Sequence, residues 1–138
     1  MLSQDATVFI VDDDWAVRDS MAALLEVGGF PTESFASVDE FLHAHHALRR
    51  GCLVANVFKL GMSGLELLDK LAAKEVVLPV IIITADEDGS LTERAMRSST
   101  VILLERPWHE PELTTAIRKA LALGAKNRQM LGDSDVAE

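Results

Sequence analysis

The sequence contains one cysteine, few basic residues and no long hydrophobic run. The single cysteine, Cys52, cannot form an internal disulfide, and its apolar neighbours predict a buried core thiol. The 13 Lys and Arg residues are outnumbered by 22 Asp and Glu residues, which gives a net charge of −9. We therefore expect no direct contact with nucleic acid, because such affinity comes largely from cations that neutralise phosphates.

The hydrophobic residues are spread along the chain and form no membrane-spanning stretch. No apolar run approaches the roughly 20 residues that a spanning helix needs. Residues 1–5 lack the basic and apolar regions of a signal peptide. The 138 residues, 49% of them hydrophobic, suit one domain with one core. We therefore expect a cytoplasmic protein with no membrane partner.

Short apolar runs alternate with amphipathic segments. The apolar runs at 8–11, 53–57, 80–83 and 101–104 predict strands, a weaker strand is predicted at 32–35, and helical periodicity follows each of the five. Two capping boxes, Ser63 with Glu66 and Ser90 with Glu93, predict helix starts, and Gly124 predicts the end of the last helix. The alternation predicts an α/β protein with a five-stranded parallel sheet and helices on both faces. We assign 1–124 to this domain, and 125–138 to a helix extension and a flexible acidic tail.

Several polar side chains close or follow the predicted strands. In a parallel sheet, ligands bind at the carboxyl ends of the strands. This rule brings together Asp12, Asp13, Asn56, Thr84 and Arg106. Clustered carboxylates can hold Mg²⁺, which takes oxygen ligands, although acidic residues at this place also suit a helix start. We expect Asp14 to cap the helix and the two preceding acids to face the crevice.

Residues 6–123 resemble the receiver domain of two-component response regulators, especially the NarL/FixJ type. Three motifs carry the resemblance in the expected order: VFIVDDD at 8–14, GMSGLEL at 61–67 and LERP at 104–107. The resemblance implies a flavodoxin-like, doubly wound (βα)5 fold with strand order 2-1-3-4-5 and no enzyme activity of its own. It implies a Mg²⁺ site made of Asp12, Asp13 and the backbone carbonyl of Phe58, and a phosphate pocket that includes Thr84 and Ala85.

Three positions depart from that family pattern. Asn56 stands where the family has its phosphoacceptor aspartate, and a neutral amide is too poor a nucleophile to form an acyl phosphate. The lost negative charge should weaken Mg²⁺ binding or abolish it, so no cofactor is required. Arg106 replaces the family lysine, and we expect its guanidinium to reach Asp12 or Asp13 in place of the cation. Leu103 replaces the usual switching aromatic residue.

These departures predict a degenerate receiver that acts through protein–protein contacts without aspartyl phosphorylation. The resemblance implies a histidine kinase or another signalling protein as partner. It also implies a homodimer through the face formed by the fourth helix, the fifth strand and the fifth helix. Four cations are expected to make that face locally basic: Arg94, Arg97, Arg118 and Lys119.

Three other functions stay open at this point. One is phosphorylation of a different carboxylate, such as Asp13 or Asp86. Another is a small-molecule or anion sensor that uses Thr84 and Arg106 in the vestigial phosphate pocket. The third is the receiver part of a DNA-binding regulator, because NarL/FixJ-type receivers usually precede a helix-turn-helix domain.

Overall fold

The computed structural model describes residues 6–45, 50–57, 62–84, 89–105 and 109–137, with side chains through residue 125. In this part of the chain, strands and helices alternate. The strands are β1 (Ala6–Val11), β2 (Thr32–Phe35), β3 (Arg50–Asn56), β4 (Val80–Thr84) and β5 (Val101–Glu105). The helices are α1 (Trp15–Val27), α2 (Val38–Ala44), α3 (Gly64–Ala73), α4 (Ser90–Met96) and α5 (Glu110–Ala137).

The five strands form one parallel sheet in the order β2-β1-β3-β4-β5, which confirms the predicted topology. β1, β3 and β4 lie inside the sheet and are apolar along nearly their whole length, because helices cover both of their faces. β3 begins at Arg50, earlier than predicted, since Arg50 and Gly51 pair with Ala6 and Thr7 of β1. β2 and β5 form the edges of the sheet.

Successive residues of each central strand enter two different cores. Phe9 of β1 belongs to the core under α2, α3 and α4, and its neighbour Ile10 belongs to the core under α1 and α5. The first core also contains Phe41, Leu53, Leu67, Ile82 and Leu91. The second core also contains Leu25, Val54, Ile81, Leu113 and Ile117. This alternation fixes the register, so the strand ends meet at a defined edge of the sheet.

The two predicted capping boxes differ in outcome. Ser63 Oγ accepts a hydrogen bond from the Glu66 amide at 3.0 Å, and Glu66 Oε1 accepts one from the Ser63 amide at 3.2 Å, which confirms the first box. The second prediction, a capping box at Ser90 and Glu93, is wrong. Gly89, with φ of 75°, is the N-cap of α4, and no side chain caps it there. Because the chain turns at this left-handed glycine, Ser90 is already the first helical residue.

The prediction that Gly124 ends the last helix is also wrong. α5 continues through Gly124 to Ala137. A Cβ built on Gly124 would lie 3.4 Å from Pro79 Cγ and 3.6 Å from the Gly51 carbonyl oxygen, which is ordinary van der Waals contact, so the helix passes close to both residues without requiring glycine. The division into a domain at 1–124 and an extension at 125–138 stays a prediction. None of the helices described is both long enough and apolar enough to cross a membrane.

Candidate functional site

Asp12 is a buried carboxylate at the carboxyl end of β1. It is 1% exposed, and hydrogen bonds reach both of its side-chain oxygens. The Asp14 amide donates to Oδ1 at 2.9 Å, and Asn56 Nδ2 donates to Oδ2 at 3.2 Å. Arg18 Nη1 donates to the Asp12 backbone carbonyl at 2.6 Å. Asp12 is therefore satisfied by protein donors, as a buried charge requires.

Asn56 lies on the adjacent strand, one residue beyond the pair formed by Val11 and Ala55. The strand-end rule therefore correctly predicted that Asp12 and Asn56 meet. The amide turns its donor side to Asp12, while its Oδ1 is buried without a hydrogen-bond partner among the residues described. A neutral donor beside a buried carboxylate stabilises the charge, whereas a second carboxylate would repel it.

Asp13 has different surroundings from Asp12. Its side chain is exposed and lines a cleft of about 300 Å³ together with residues of α2 and α3. Neither Asp12 nor Asn56 lines that cleft. The two neighbouring acids, predicted to face one crevice, therefore point into separate environments.

Thr84 and Leu103 occupy the places that the sequence predicted for them. Thr84 ends β4 and is buried, next to Ile83, which pairs with Asn56. Leu103 of β5 is half-buried and packs against the core under α2, α3 and α4. Ala85, Arg106, Phe58 and Asp86 lie outside the residues that the structure describes, so the contact of Arg106 with Asp12 or Asp13 stays a prediction.

The side chains around Asp12 form an amide–carboxylate pair where the sequence predicted a weakened Mg²⁺ site. Mg²⁺ takes oxygen ligands in near-octahedral geometry. Each Asp12 carboxylate oxygen already accepts an N–H, and Asn56 turns its NH₂ group toward the carboxylate. Within the described ranges, no group of three or more His, Cys, Asp and Glu residues is placed to hold a metal ion. The Mg²⁺ site predicted at Asp12, Asp13 and the Phe58 carbonyl stays a prediction, since Phe58 lies outside the described residues.

Sequence reasoning missed the contribution of Arg18. Its hydrogen bond holds the Asp12 carbonyl where β1 passes into α1. The one available signal was its position one helical turn after Asp14, which places both residues on the same side of α1.

Asp14 is the N-cap of α1, as predicted. Its Oδ1 accepts from the Ala16 amide at 2.9 Å and from the Val17 amide at 3.4 Å. We expect Asp14→Ala to lower the free energy of unfolding by about 1 kcal/mol, because two amides lose their acceptor. Urea denaturation would measure the loss. Asp14→Ser, which keeps an oxygen acceptor, should recover most of the stability. Equal losses in both variants would contradict the capping role.

Cys52 is a buried thiol of β3, as predicted. Burial raises its pKa to about 12, since the protein interior disfavours the thiolate. The thiol therefore stays protonated at neutral pH and has no nucleophilic role.

The predicted basic face around α4, β5 and α5 is only partly present. Arg94 Nη1 lies 2.9 Å from Asp69 Oδ1 of α3, which neutralises its charge locally. Arg118 is not part of this face: its guanidinium lies 5.8 Å from the centroid of the Phe30 ring, on the side of α5 toward α1. The hydrophobic periodicity of α5 predicted which of its residues are buried, but it did not predict where each exposed side chain points. Arg97 and Lys119 are exposed as expected.

Comparisons with known proteins agree with this geometry. The model of the response regulator receiver domain family matches residues 8–118. The transcriptional regulatory protein FixJ of Azorhizobium caulinodans is 36% identical over 138 residues, which are 99% of this chain and 65% of that protein. FixJ of Bradyrhizobium diazoefficiens is 36% identical over 114 residues, which are 83% of this chain and 56% of that protein.

Solved structures show the same fold. The response regulator StyR superimposes with a TM-score of 0.83 at 38% identity, over 95% of this chain and 66% of that one. The FixJ-N structure superimposes with a TM-score of 0.73 at 35% identity, over 86% of this chain and 95% of that one. This chain thus spans about half to two-thirds of the length of the curated relatives. The family match, the strand order and the polar strand ends together identify the chain as a response regulator receiver domain of the FixJ/NarL type, a component of two-component signalling.

Proposed function

We propose that this receiver signals through protein contacts that do not depend on aspartyl phosphorylation. The observation that carries the proposal is Asn56 at the end of β3, where its amide donates to the buried Asp12 carboxylate. A neutral amide is a poor nucleophile for phosphoryl transfer, so the side chain at this position cannot serve as the phosphoacceptor. The site lies at the same strand ends as in the family, but it holds an amide–carboxylate hydrogen bond in place of a phosphoacceptor.

The amide–carboxylate pair supports a single resting arrangement of the strand ends. Asp12 bonds to Asn56 and Asp14 and thereby ties β3 to the β1–α1 junction. A phosphoryl group shifts a receiver only if it binds one state better than another. Without an acceptor, no phosphoryl group is attached at this position, so it cannot favour one state of the domain over another. The half-buried aliphatic Leu103, in place of a switching ring, supports the same conclusion.

For partners, we propose a histidine kinase or another signalling protein, and a second copy of the chain through the face of α4, β5 and α5. The relatives are named transcriptional regulators, so we place the chain in a system that controls transcription. The net charge of −9 favours a role in which this domain itself contacts protein and not DNA. Met96, Arg97 and Lys119 are exposed, and we assign them to this face.

The proposal is tested with acetyl phosphate and Mg²⁺, followed by the intact mass of the protein. We expect no phosphoryl adduct on the native chain and an adduct on Asn56→Asp, because that change restores a carboxylate acceptor at the end of β3. A matched control is Asn56→Ala, which removes the amide without adding an acceptor and should stay unlabelled.

An adduct on the native chain would overturn the proposal. The modified residue would then be mapped by peptide mass, with Asp13 first, since its exposed side chain forms no hydrogen bond or ion pair with the other described residues. If Asn56→Asp also stays unlabelled, the site has lost more than its acceptor, and Arg106 becomes the next position to change.

A further inference from the structure

The edge strand β2 has an open outer side. Among the strands described, only β1 pairs with β2. Amides of β1 and of the residue after it donate to the carbonyls of Pro31 and Phe35, at 2.8 and 3.2 Å. Because alternate residues of a paired strand turn their backbone groups to opposite sides, Glu33 also faces β1, while Thr32 and Ser34 face away from it. The amide and the carbonyl of both residues therefore line the edge, where Glu33 and Ser34 are exposed.

The part of the chain that surrounds this edge is strongly acidic. Residues 6–45, which contain β2 and the helices before and after it, hold eight Asp or Glu residues and one Arg, and so carry seven of the nine net negative charges. Exposed carboxylates come before, within and after the strand. Glu26 of α1 accepts from the Thr32 hydroxyl at 3.2 Å, Glu33 belongs to β2, and Glu40 lies in the first turn of α2. A chain that approaches the edge therefore meets negative charge.

The charge decides which kind of strand can pair with β2. Backbone groups on an open edge accept any extended chain, and charged side chains on an edge strand prevent it from pairing with copies of itself. Pairing of β2 with β2 of a second copy would bring two acidic edges together, and like charges opposite each other destabilise a pair of strands. An extended segment that carries Lys or Arg would instead place opposite charges across the pair, which stabilises it.

We propose that β2 binds an extended basic segment of a partner protein, which adds one strand to the outer side of the sheet. The backbone of that segment bonds to Thr32 and Ser34, and its Lys or Arg side chains lie beside Glu33. β2 and β5 are at opposite edges of the sheet, so this surface is separate from the face of α4, β5 and α5. The proposal therefore depends neither on that face nor on the absence of phosphotransfer.

The test uses the full chain labelled with ¹⁵N and the peptide acetyl-KVKVK-amide as the probe. We expect saturable amide shifts around β2, and slower hydrogen exchange of the Thr32 and Ser34 amides, which face away from β1. The amides of Glu33 and Phe35 already face β1 and should exchange slowly with or without the peptide. The matched peptide acetyl-EVEVE-amide has the opposite charge and should bind about tenfold more weakly at the same ionic strength.

Substitutions separate binding at the edge from general attraction to an acidic protein. Ser34→Pro removes an outward amide, keeps the bonds to β1, and should weaken binding about tenfold. Ser34→Ala keeps the backbone unchanged and should bind like the native chain. Glu33→Gln should weaken binding about threefold, because one opposite charge is lost. Its matched control is Glu93→Gln, which neutralises an exposed carboxylate of α4, beside the opposite edge, and should have no effect.

A modified probe keeps the test valid if Ser34→Pro does not fold. The same peptide with N-methyl groups on its three inner residues cannot donate to the carbonyls of the edge and should not bind the native chain. Equal binding of the two charged peptides, native-like binding by Ser34→Pro, binding of the N-methylated probe, or shifts centred on β5 would overturn the proposal. Slow exchange of the Thr32 and Ser34 amides without peptide, together with a dimer mass, would assign the edge to a second copy and would equally overturn it.

Discussion

Replacement of Gly51 by alanine is expected to lower the free energy of unfolding by roughly 3–5 kcal/mol, the sum of backbone strain and overpacking. Gly51 has φ of 146°, a conformation that residues with a side chain rarely adopt. A Cβ built there would overlap the Thr7 carbonyl oxygen on β1 and lie 2.9 Å from the Thr7 backbone nitrogen. The clash involves backbone, which cannot move without separating β1 from β3. Urea and thermal unfolding would measure the loss against a total of about 5–15 kcal/mol for a typical domain.

A second glycine, Gly29, separates the contribution of backbone strain from that of overpacking. Gly29 also has a positive φ, 90°, but a Cβ built on it would meet no atom within 4 Å. Gly29→Ala should therefore show the strain alone, about 1 kcal/mol. If Gly51→Ala costs no more than Gly29→Ala, the close approach of β1 and β3 is not what requires glycine at position 51.

Gly51 also illustrates where prediction from the sequence ends. Apolar runs and helical stripes were enough to predict five strands and helices on both faces of the sheet, because periodicity decides which side chains are buried. The strand order was predicted from the resemblance to the receiver family. The beginning of β3 was missed, since Arg50 and Gly51 resemble a loop and join the strand only by pairing with β1. Gly124 was misinterpreted for a related reason: the last helix continues through it where the helix passes Pro79 and Gly51, and local patterns do not contain such tertiary packing.

The sequence predicted which residues lie at the candidate site, but it did not predict how their side chains are oriented. The rule that ligands bind at strand ends placed Asp12, Asn56 and Thr84 at one edge of the sheet. The direction of the Asn56 amide, the exposure of Asp13 and the turn of Arg118 toward Phe30 follow from side-chain rotamers and packing between elements. Rotamers and packing depend on contacts between residues that are distant in the chain, such as Asp12 and Asn56, which are 44 positions apart.

The second large effect is expected from Asn56→Asp, which should lower the free energy of unfolding by about 2–3 kcal/mol at pH 7 without Mg²⁺. The native amide donates to Asp12 Oδ2 at 3.2 Å, and the new carboxylate cannot donate when it is ionised. A hydrogen bond to a charged group contributes roughly 1.5–3 kcal/mol, and the repulsion between two neighbouring carboxylates adds to its loss.

The effect has a defined pH dependence. Two carboxylates this close share a proton in the folded state, so the upper pKa of the pair rises above the ordinary value of about 3.9. A raised folded-state pKa means that the folded variant binds more protons than the unfolded chain between that ordinary value and the raised one. Relative to the native protein, the variant should therefore lose stability as the pH rises above about 4 and regain it on acidification.

Mg²⁺ and a second-site change test whether charge is the cause. Mg²⁺ should restore stability to Asn56→Asp, because a cation bound only to the folded pair stabilises it by mass action, and it should leave the native protein nearly unchanged. The double variant Asp12→Asn with Asn56→Asp exchanges the amide and the carboxylate between the two strands. The exchanged amide can still accept from the Asp14 amide and can donate to the new carboxylate. We expect this double variant to recover most of the stability and to lose the added pH dependence. If it stays as unstable as Asn56→Asp, the Asn56–Asp12 hydrogen bond is not what joins β1 to β3 at this site.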